Sequence, residues 1–69
     1  MMLRPEQFLP GDLVETYDSK TNSYILDTVL GVRLMKREVR VTFLYTGECY
    51  WSRDPEYEMV HVVRSGPAL

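Results

Sequence analysis

The stretch that decides the fold is residues 38–47, which read Glu-Val-Arg-Val-Thr-Phe-Leu-Tyr-Thr-Gly. Apolar and polar side chains alternate along it, the pattern of a strand with one buried face. The dipeptide Thr46-Gly47 predicts a two-residue hairpin loop with glycine where φ must be positive, so residues 48–52 should return as the next strand. The side chains expected on the buried face are Val39, Val41, Phe43 and Tyr45, opposite Glu38, Arg40 and Thr42.

The same period of two residues predicts three further strands, at residues 13–17, 24–33 and 59–64. Within the second of these, Gly31 indicates a bulge or bend. The segment 53–58 is too short and polar for a strand and, with proline near its start, predicts a single helical turn. The more apolar face of residues 24–33, which we expect to point inward, carries Tyr24, Leu26, Thr28, Leu30 and Val32.

Five short strands with a tight hairpin predict an all-β fold. A flat sheet of this size would leave its edges unprotected and its core thin, so we expect a closed or nearly closed five-stranded barrel. The barrel should span residues 10–64, after a lead-in at 1–9 and before a flexible tail at 65–69. A chain of 69 residues is long enough for one domain only.

Composition argues against several classes of function. One cysteine and one histidine cannot form an internal disulfide or a structural zinc site, and we expect Cys49 and His61 to be core residues. No apolar run reaches the roughly 18–20 residues of a membrane helix, and the first residues lack the apolar region of a signal peptide. We therefore expect a cytoplasmic protein (nuclear, if eukaryotic) that is not secreted, has no membrane partner and is not an enzyme, with no cofactor and no metal.

The net charge of −2 is unevenly distributed along the chain. Residues 28–47 carry four cations and one acid, whereas the segments 6–27 and 48–58 are net negative. Two apolar residues of the basic stretch fall on a connection between strands. Either one of them folds back over the barrel end, or the pair forms the apolar centre of a contact surface with a basic rim. The candidate partner-binding residues are Arg33, Leu34, Met35, Lys36, Arg37 and Arg40.

Two segments resemble the SH3-like small-barrel superfamily. Pro10-Gly11-Asp12-Leu13-Val14 is similar to the opening of Tudor and KOW-type barrels. The run from Lys36-Arg37-Glu38 through the valine-rich strand to Tyr45-Thr46-Gly47 resembles Tudor domains of the survival-motor-neuron type. The resemblance covers roughly residues 8–63, and it implies a five-stranded SH3-like (Tudor-like or KOW-like) barrel with a single helical turn before the last strand.

Four aromatic rings form a cage in that Tudor group, and the cage holds methylated arginine by cation–π contacts. Matched position by position, Tyr17, Tyr24 and Tyr45 stand at three of the cage positions, and Glu48 stands at the fourth. The resemblance therefore implies a cage of three rings with a carboxylate in place of the fourth. The ordinary alternative is that these tyrosines sit at strand ends with buried rings and solvated hydroxyls.

Two functions remain open from the sequence. The first is a non-enzymatic protein-binding module, or a small accessory or regulatory subunit, that uses the basic-apolar hairpin and the tyrosine-rimmed barrel end. The second is a nucleic-acid-binding KOW-like barrel that uses the same hairpin, with Tyr50 or Trp51 stacking on a base. Trp51, as the largest side chain, is alternatively expected to fill the barrel core. The acidic remainder of the chain favours the protein partner over nucleic acid.

Overall fold

The computed structural model describes residues 1–53 and 59–64. These residues form one antiparallel sheet with the strand order β1-β6-β2-β3-β4-β5, and a short 3₁₀ turn at Pro5–Gln7. The bounds of the strands are β1 Met2–Leu3, β2 Leu13–Asp18, β3 Ser23–Leu34, β4 Glu38–Phe43, β5 Gly47–Ser52 and β6 Val60–Val63.

The all-β class is confirmed, and the structure differs from the predicted barrel in two details. The described residues contain six strands instead of five, because Met2–Leu3, in the expected lead-in, pairs with β6. The sheet is also not closed, since β1 and β5 are its two ends and no ladder joins them within the described residues. The helical turn predicted over 53–58 falls, apart from Arg53, outside the described residues, as does the tail at 65–69.

Strand β4 follows the predicted alternation, with Val39 and Val41 buried completely. The strand ends at Phe43, which pairs with Gly47, so the hairpin to β5 has three loop residues instead of the predicted two. Gly47 has a φ of +83°, a conformation that favours glycine over any residue with a Cβ atom. Tyr45 consequently lies in the loop with 72% of its surface exposed, which corrects the prediction that it belongs to the buried face.

From Tyr24 to Leu30, strand β3 turns the opposite face to the core from the one predicted, whereas Val32, after the bulge, packs against the core as predicted. Tyr24, Leu26 and Leu30 are each half exposed or more, whereas Asp27 and Val29 are buried. The bulge predicted at Gly31 is confirmed, because the register with β4 shifts between Val29 and Gly31. The physical reason for the reversed face is the Asp27 carboxylate, whose buried oxygens are satisfied by hydrogen bonds from other segments.

The core lies between the inner face of the sheet and the residues that follow the 3₁₀ turn. Trp51 is half-buried and packs edge-to-face on two phenylalanine rings, with ring centroids 5.8 Å from Phe8 and 6.2 Å from Phe43. Phe8 is carried into the core by the 3₁₀ turn, where its N–H donates to the Pro5 carbonyl. The buried apolar residues are Phe8, Val14, Val29, Val39, Val41, Phe43 and Val62.

A second buried carboxylate connects the residue before β2 to the residue after β6. Asp12 is 2% exposed and accepts two hydrogen bonds from the Arg64 guanidinium, each 2.8 Å long. Its Oδ2 atom also accepts the N–H of Leu9. The Arg64 hydrogen bonds hold the pKa of the Asp12 carboxyl below its usual range, with the Leu9 contact adding to this effect against the opposing effect of burial. The buried charge is therefore paired, as a stable interior requires.

Candidate functional site

The predicted partner-binding residues gather at the turn between β3 and β4, with one exception. Residues 33–37 form this turn, which we call the basic tip. Strand β3 ends at Leu34 and β4 begins at Glu38, so three residues connect them. The connection is closed by a hydrogen bond of 2.8 Å from the Met35 N–H to the Glu38 carbonyl. The exception is Arg40, which lies in the middle of β4.

Three cations of the basic tip are exposed and have no ion-pair partner among the described residues. Arg33, Lys36 and Arg37 face solvent, and none of them forms an ion pair with any residue that the structure describes. A tight turn thus concentrates three positive charges. Cations held together in this way repel one another, so an anionic partner would relieve the repulsion.

Arg53 is a fourth cation at the tip, and its position in the sequence does not predict its presence there. Its Nη1 atom donates to the Met35 carbonyl at 2.7 Å, and its backbone N–H donates to the Arg37 carbonyl at 3.0 Å. Met35 and Arg53 are 18 residues apart in the chain. Their proximity follows from the pairing of β4 with β5, which local sequence spacing does not reveal.

The two apolar residues of the basic tip have different environments. Leu34 is 57% exposed, although it pairs with the fully buried Val39 in the β3–β4 ladder. Met35 is half-buried. One apolar residue of the pair is thus half-buried and the other stays exposed. Leu34 is the apolar centre of the tip, with cations on either side of it in the chain.

Arg40 is engaged in intramolecular contacts, so it is less available to bind a partner than the cations of the basic tip are. Its Nε atom lies 2.7 Å from Glu38 Oε2, and its Nη1 atom lies 3.8 Å from Glu48 Oε1. The guanidinium carbon also sits 5.0 Å from the centroid of the Tyr50 ring, within cation–π range. The Glu38 hydrogen bond raises the pKa of Arg40, so its charge is permanent but compensated by neighbouring carboxylates.

The two predicted stacking residues are both in contact with other side chains. Tyr50 is 60% exposed, but the Arg40 guanidinium lies against its ring. Trp51 points inward and packs on the core, in the position expected of a core-filling residue. A base could therefore reach Tyr50 only on the ring surface that Arg40 leaves open.

Two of the three candidate cage tyrosines are neighbours on paired strands. Tyr17 of β2 pairs with Tyr24 of β3, and their rings meet edge-to-face with centroids 5.2 Å apart. The Tyr17 hydroxyl hydrogen-bonds to the Asn22 side chain across the connecting loop. Both rings remain substantially exposed, at 48% and 68%. The cross-strand contact fixes the orientation of the Tyr17 ring.

Tyr45, the third candidate, lines the same cleft as Tyr17, but the two rings are not in contact. A cleft of about 340 Å³ is lined by Tyr17 and Tyr45, together with Asp18, Ser19, Lys20 and Thr46. Asp18 accepts hydrogen bonds from the Lys20 N–H and the Thr21 hydroxyl. Glu48, at the fourth cage position, instead lines a separate cleft of about 280 Å³ beside Arg33 and Arg40. The structure thus brings two rings and one carboxylate to the first cleft.

Cys49 and His61 lie on opposite faces of the sheet. Cys49 is half-buried against the core, and burial raises the pKa of its thiol, which lowers the fraction of nucleophilic thiolate. His61 is exposed, although the sequence placed it in the core. Within residues 1–53 and 59–64, no three His, Cys, Asp or Glu side chains are close enough to share a metal ion.

Helices of membrane-spanning length and apolarity are absent from the part of the chain that the structure describes. Comparison of the chain with protein-family models, with curated proteins and with solved structures finds no match.

Proposed function

We propose that this chain is a non-enzymatic protein-binding module whose basic tip docks on an acidic surface of a partner protein. The observation that carries this proposal is the exposure of Arg33, Lys36 and Arg37 without ion pairs among the described residues, around the half-exposed Leu34. An apolar centre with a charged rim is the usual anatomy of a protein interface. Acidic groups on the partner would steer association and fix its orientation.

We also propose that the fold is an SH3-like barrel. The order β6-β2-β3-β4-β5, in which the last strand pairs with the first strand of a meander, supports this assignment. The bulge in the long strand β3 supports it further, because a bulge lets one strand bend between two parts of a small barrel. Such barrels serve many functions, so the fold by itself does not favour one binding partner over another.

The charges around the tip favour a protein partner over nucleic acid. Glu38 and Glu48 lie beside Arg40 and would repel phosphates that approached along the outer face of β4. A patch of four cations, counting Arg53, is also a small footprint for a phosphate backbone. Exposed leucine contributes to a protein interface but adds little to a phosphate contact.

The proposal is tested by affinity capture with matched variants. The tip variant carries Arg33→Ser, Lys36→Ser and Arg37→Ser, and a second variant carries Leu34→Ser with Met35→Ser. The control carries Arg4→Ser and Lys20→Ser, two exposed cations elsewhere. A partner that is retained by the control, lost by both tip variants and confirmed with purified proteins supports the proposal. If the tip variants keep the thermal stability of the wild type and still recover as much partner as the control does, the proposal is contradicted.

The nucleic-acid alternative is tested by fluorescence anisotropy with a labelled DNA duplex and a labelled single-stranded RNA. We expect no saturable binding at low ionic strength. Affinity that falls steeply with added salt and disappears in the tip variant would instead establish the nucleic-acid function.

A second candidate function is cation recognition at the cleft between Tyr17 and Tyr45. Tyr17, Tyr45 and Asp18 line one cleft together with Lys20, and aromatic rings beside a carboxylate suit a methylated guanidinium or ammonium group. The test is a ¹H–¹⁵N titration with a dimethylarginine peptide, with the unmodified arginine peptide as the matched control. Shifts at Tyr17 and Tyr45 with the methylated peptide alone support this function, and unchanged spectra exclude it.

A further inference from the structure

The face of the sheet that points away from the core is unusually apolar. Six apolar side chains on this face, which we call the outer face, are between 42% and 68% exposed: Met2, Tyr17, Tyr24, Leu26, Leu30 and Val63. Three of them belong to the side of β3 that the sequence assigns to a core. A strand face of that composition in water indicates a surface that is covered in the working form of the protein.

One row of side chains crosses the outer face on four adjacent strands. Met2 of β1 pairs with His61 of β6, and Glu15 of β2 pairs with Leu26 of β3. The β2–β6 ladder pairs Leu13 with Val63 and Val14 with Val62. Continuing that antiparallel register by one residue places Glu15 beside His61. The row therefore reads Met2, His61, Glu15, Leu26 across the order β1-β6-β2-β3.

This row is complementary to itself when it is reversed. Its two outer members are apolar, and its two inner members are a carboxylate and an imidazole. All four side chains are exposed, and neither Glu15 nor His61 forms an ion pair or hydrogen bond within the described residues. A carboxylate in an apolar surface is unfavourable to cover unless the covering surface supplies a donor at that point.

We propose that two copies of this chain associate through the outer face, about a two-fold axis that runs parallel to the strands between β2 and β6. This axis lays each β2 over the β6 of the other copy. Glu15 of one copy then faces His61 of the other, twice, and each Met2 faces a Leu26. Leu13 and Val63, which are paired in the next row, face each other in the same way. Such a contact is isologous, as in most closed dimers.

The exposed area fits a second copy. Each of the six half-exposed apolar residues leaves on the order of 100 Å² accessible, so the outer face presents roughly 600 Å² before its polar members are counted. A standard interface buries about 800 Å² on each partner.

Sedimentation velocity over a range of concentrations tests the association. We expect the wild-type chain to convert from monomer to dimer mass as its concentration rises. Leu26→Lys should raise the dissociation constant of the dimer about tenfold or more, because it places a charge at the covered face. The matched control is Leu34→Lys, a leucine of the same strand with similar exposure that lies away from the outer face, and it should leave the dimer unchanged.

The central pair is tested by exchange of its members. His61→Glu alone places carboxylates opposite one another and should weaken the dimer. Combining it with Glu15→His restores a carboxylate–imidazole pair across the axis and should recover the wild-type mass. Circular dichroism and thermal melting establish that each variant is folded. Monomer mass at all wild-type concentrations overturns the proposal, as does a dimer that responds equally to Leu26→Lys and Leu34→Lys.

Discussion

Thr46 donates two hydrogen bonds to the Oδ2 atom of Asp27, one from its backbone N–H and one from its side-chain hydroxyl. Each is 2.8 Å long. The Oδ1 atom accepts the N–H groups of Tyr45 and Thr28 at 2.9 Å. These bonds connect the middle of β3 to a turn 19 residues away in sequence. They explain how a carboxylate can occupy the core of so small a domain, since each oxygen has at least two donors.

The first prediction concerns the hydrogen bonds of Asp27. Asp27→Asn replaces one acceptor oxygen with an NH₂ group, which meets the donors of the β4–β5 turn instead of accepting from them. We expect the free energy of unfolding to fall by about 2–4 kcal/mol, because buried donors lose their partner. Urea denaturation measures this change. Asp18→Asn, at the half-buried carboxylate that ends β2, is the control and should change stability by less than about 0.5 kcal/mol.

The second prediction is an acid-dependent loss of stability. Burial tends to raise the pKa of Asp27, but the hydrogen bonds from Tyr45, Thr46 and Thr28 outweigh it and hold the pKa below the ordinary value of 3.8. The unfolded state therefore binds protons first as pH falls, so the stabilisation is complete above the ordinary value and is lost below it.

Urea midpoints measured from pH 7 to pH 3 check this dependence. The difference in stability between the wild type and Asp27→Asn should stay constant down to about pH 5 and narrow below about pH 4. A difference that remains constant at pH 3 would contradict the assignment of a lowered pKa to Asp27.

The third prediction concerns the ion pair between Asp12 and Arg64. Arg64→Met removes the two guanidinium hydrogen bonds to Asp12, together with a longer one to the Gln7 carbonyl, and leaves the Asp12 carboxylate buried without a cation. We expect a loss of about 2–3 kcal/mol, below the largest values for buried pairs because Arg64 itself is partly exposed. Arg4→Met is the comparison, since the Arg4–Glu6 pair is 3.8 Å long and more exposed, and it should change stability by about 0.5 kcal/mol or less. Equal effects of the two substitutions would rule out a buried pair.

The fourth prediction compares alanine substitutions at two glycines that differ in backbone conformation. No atom lies within 4 Å of a Cβ placed at either Gly47 or Gly31, but Gly47 alone of the two has a positive φ. Gly47→Ala should therefore cost about 1 kcal/mol through strain, and Gly31→Ala should be neutral or slightly stabilising. Thermal melting distinguishes them, and equal melting temperatures would show that the turn adopts another conformation.

The sequence predicted well those elements whose pattern is local. The alternation of β4 assigned Val39 and Val41 to the core, and Gly31 marked the bulge correctly. The clustering of Arg33, Lys36 and Arg37 followed directly from their place in one short connection. Such features depend on residues close in the chain, so their pattern is present before the tertiary structure forms.

The sequence predicted poorly those features that depend on distant contacts. Tyr45 continued the alternation of β4, but the turn that binds Asp27 takes it out of the strand. Arg53 reaches the basic tip only because β5 returns beside β4, and Arg40 leaves it because Glu38 and Glu48 bind its guanidinium. Met2–Leu3 is too short to carry a strand pattern and becomes a strand by pairing with β6.

The sequence by itself determined an all-β chain, with a basic stretch of mildly apolar character between two acidic ones. The tertiary structure decided which face of β3 is buried. Both faces of that strand carry apolar residues, so burial of apolar area does not strongly distinguish them. The decision rests on Asp27, which can be buried because Thr46 and Tyr45 supply its donors, and it leaves Leu26 and Leu30 on the outer face.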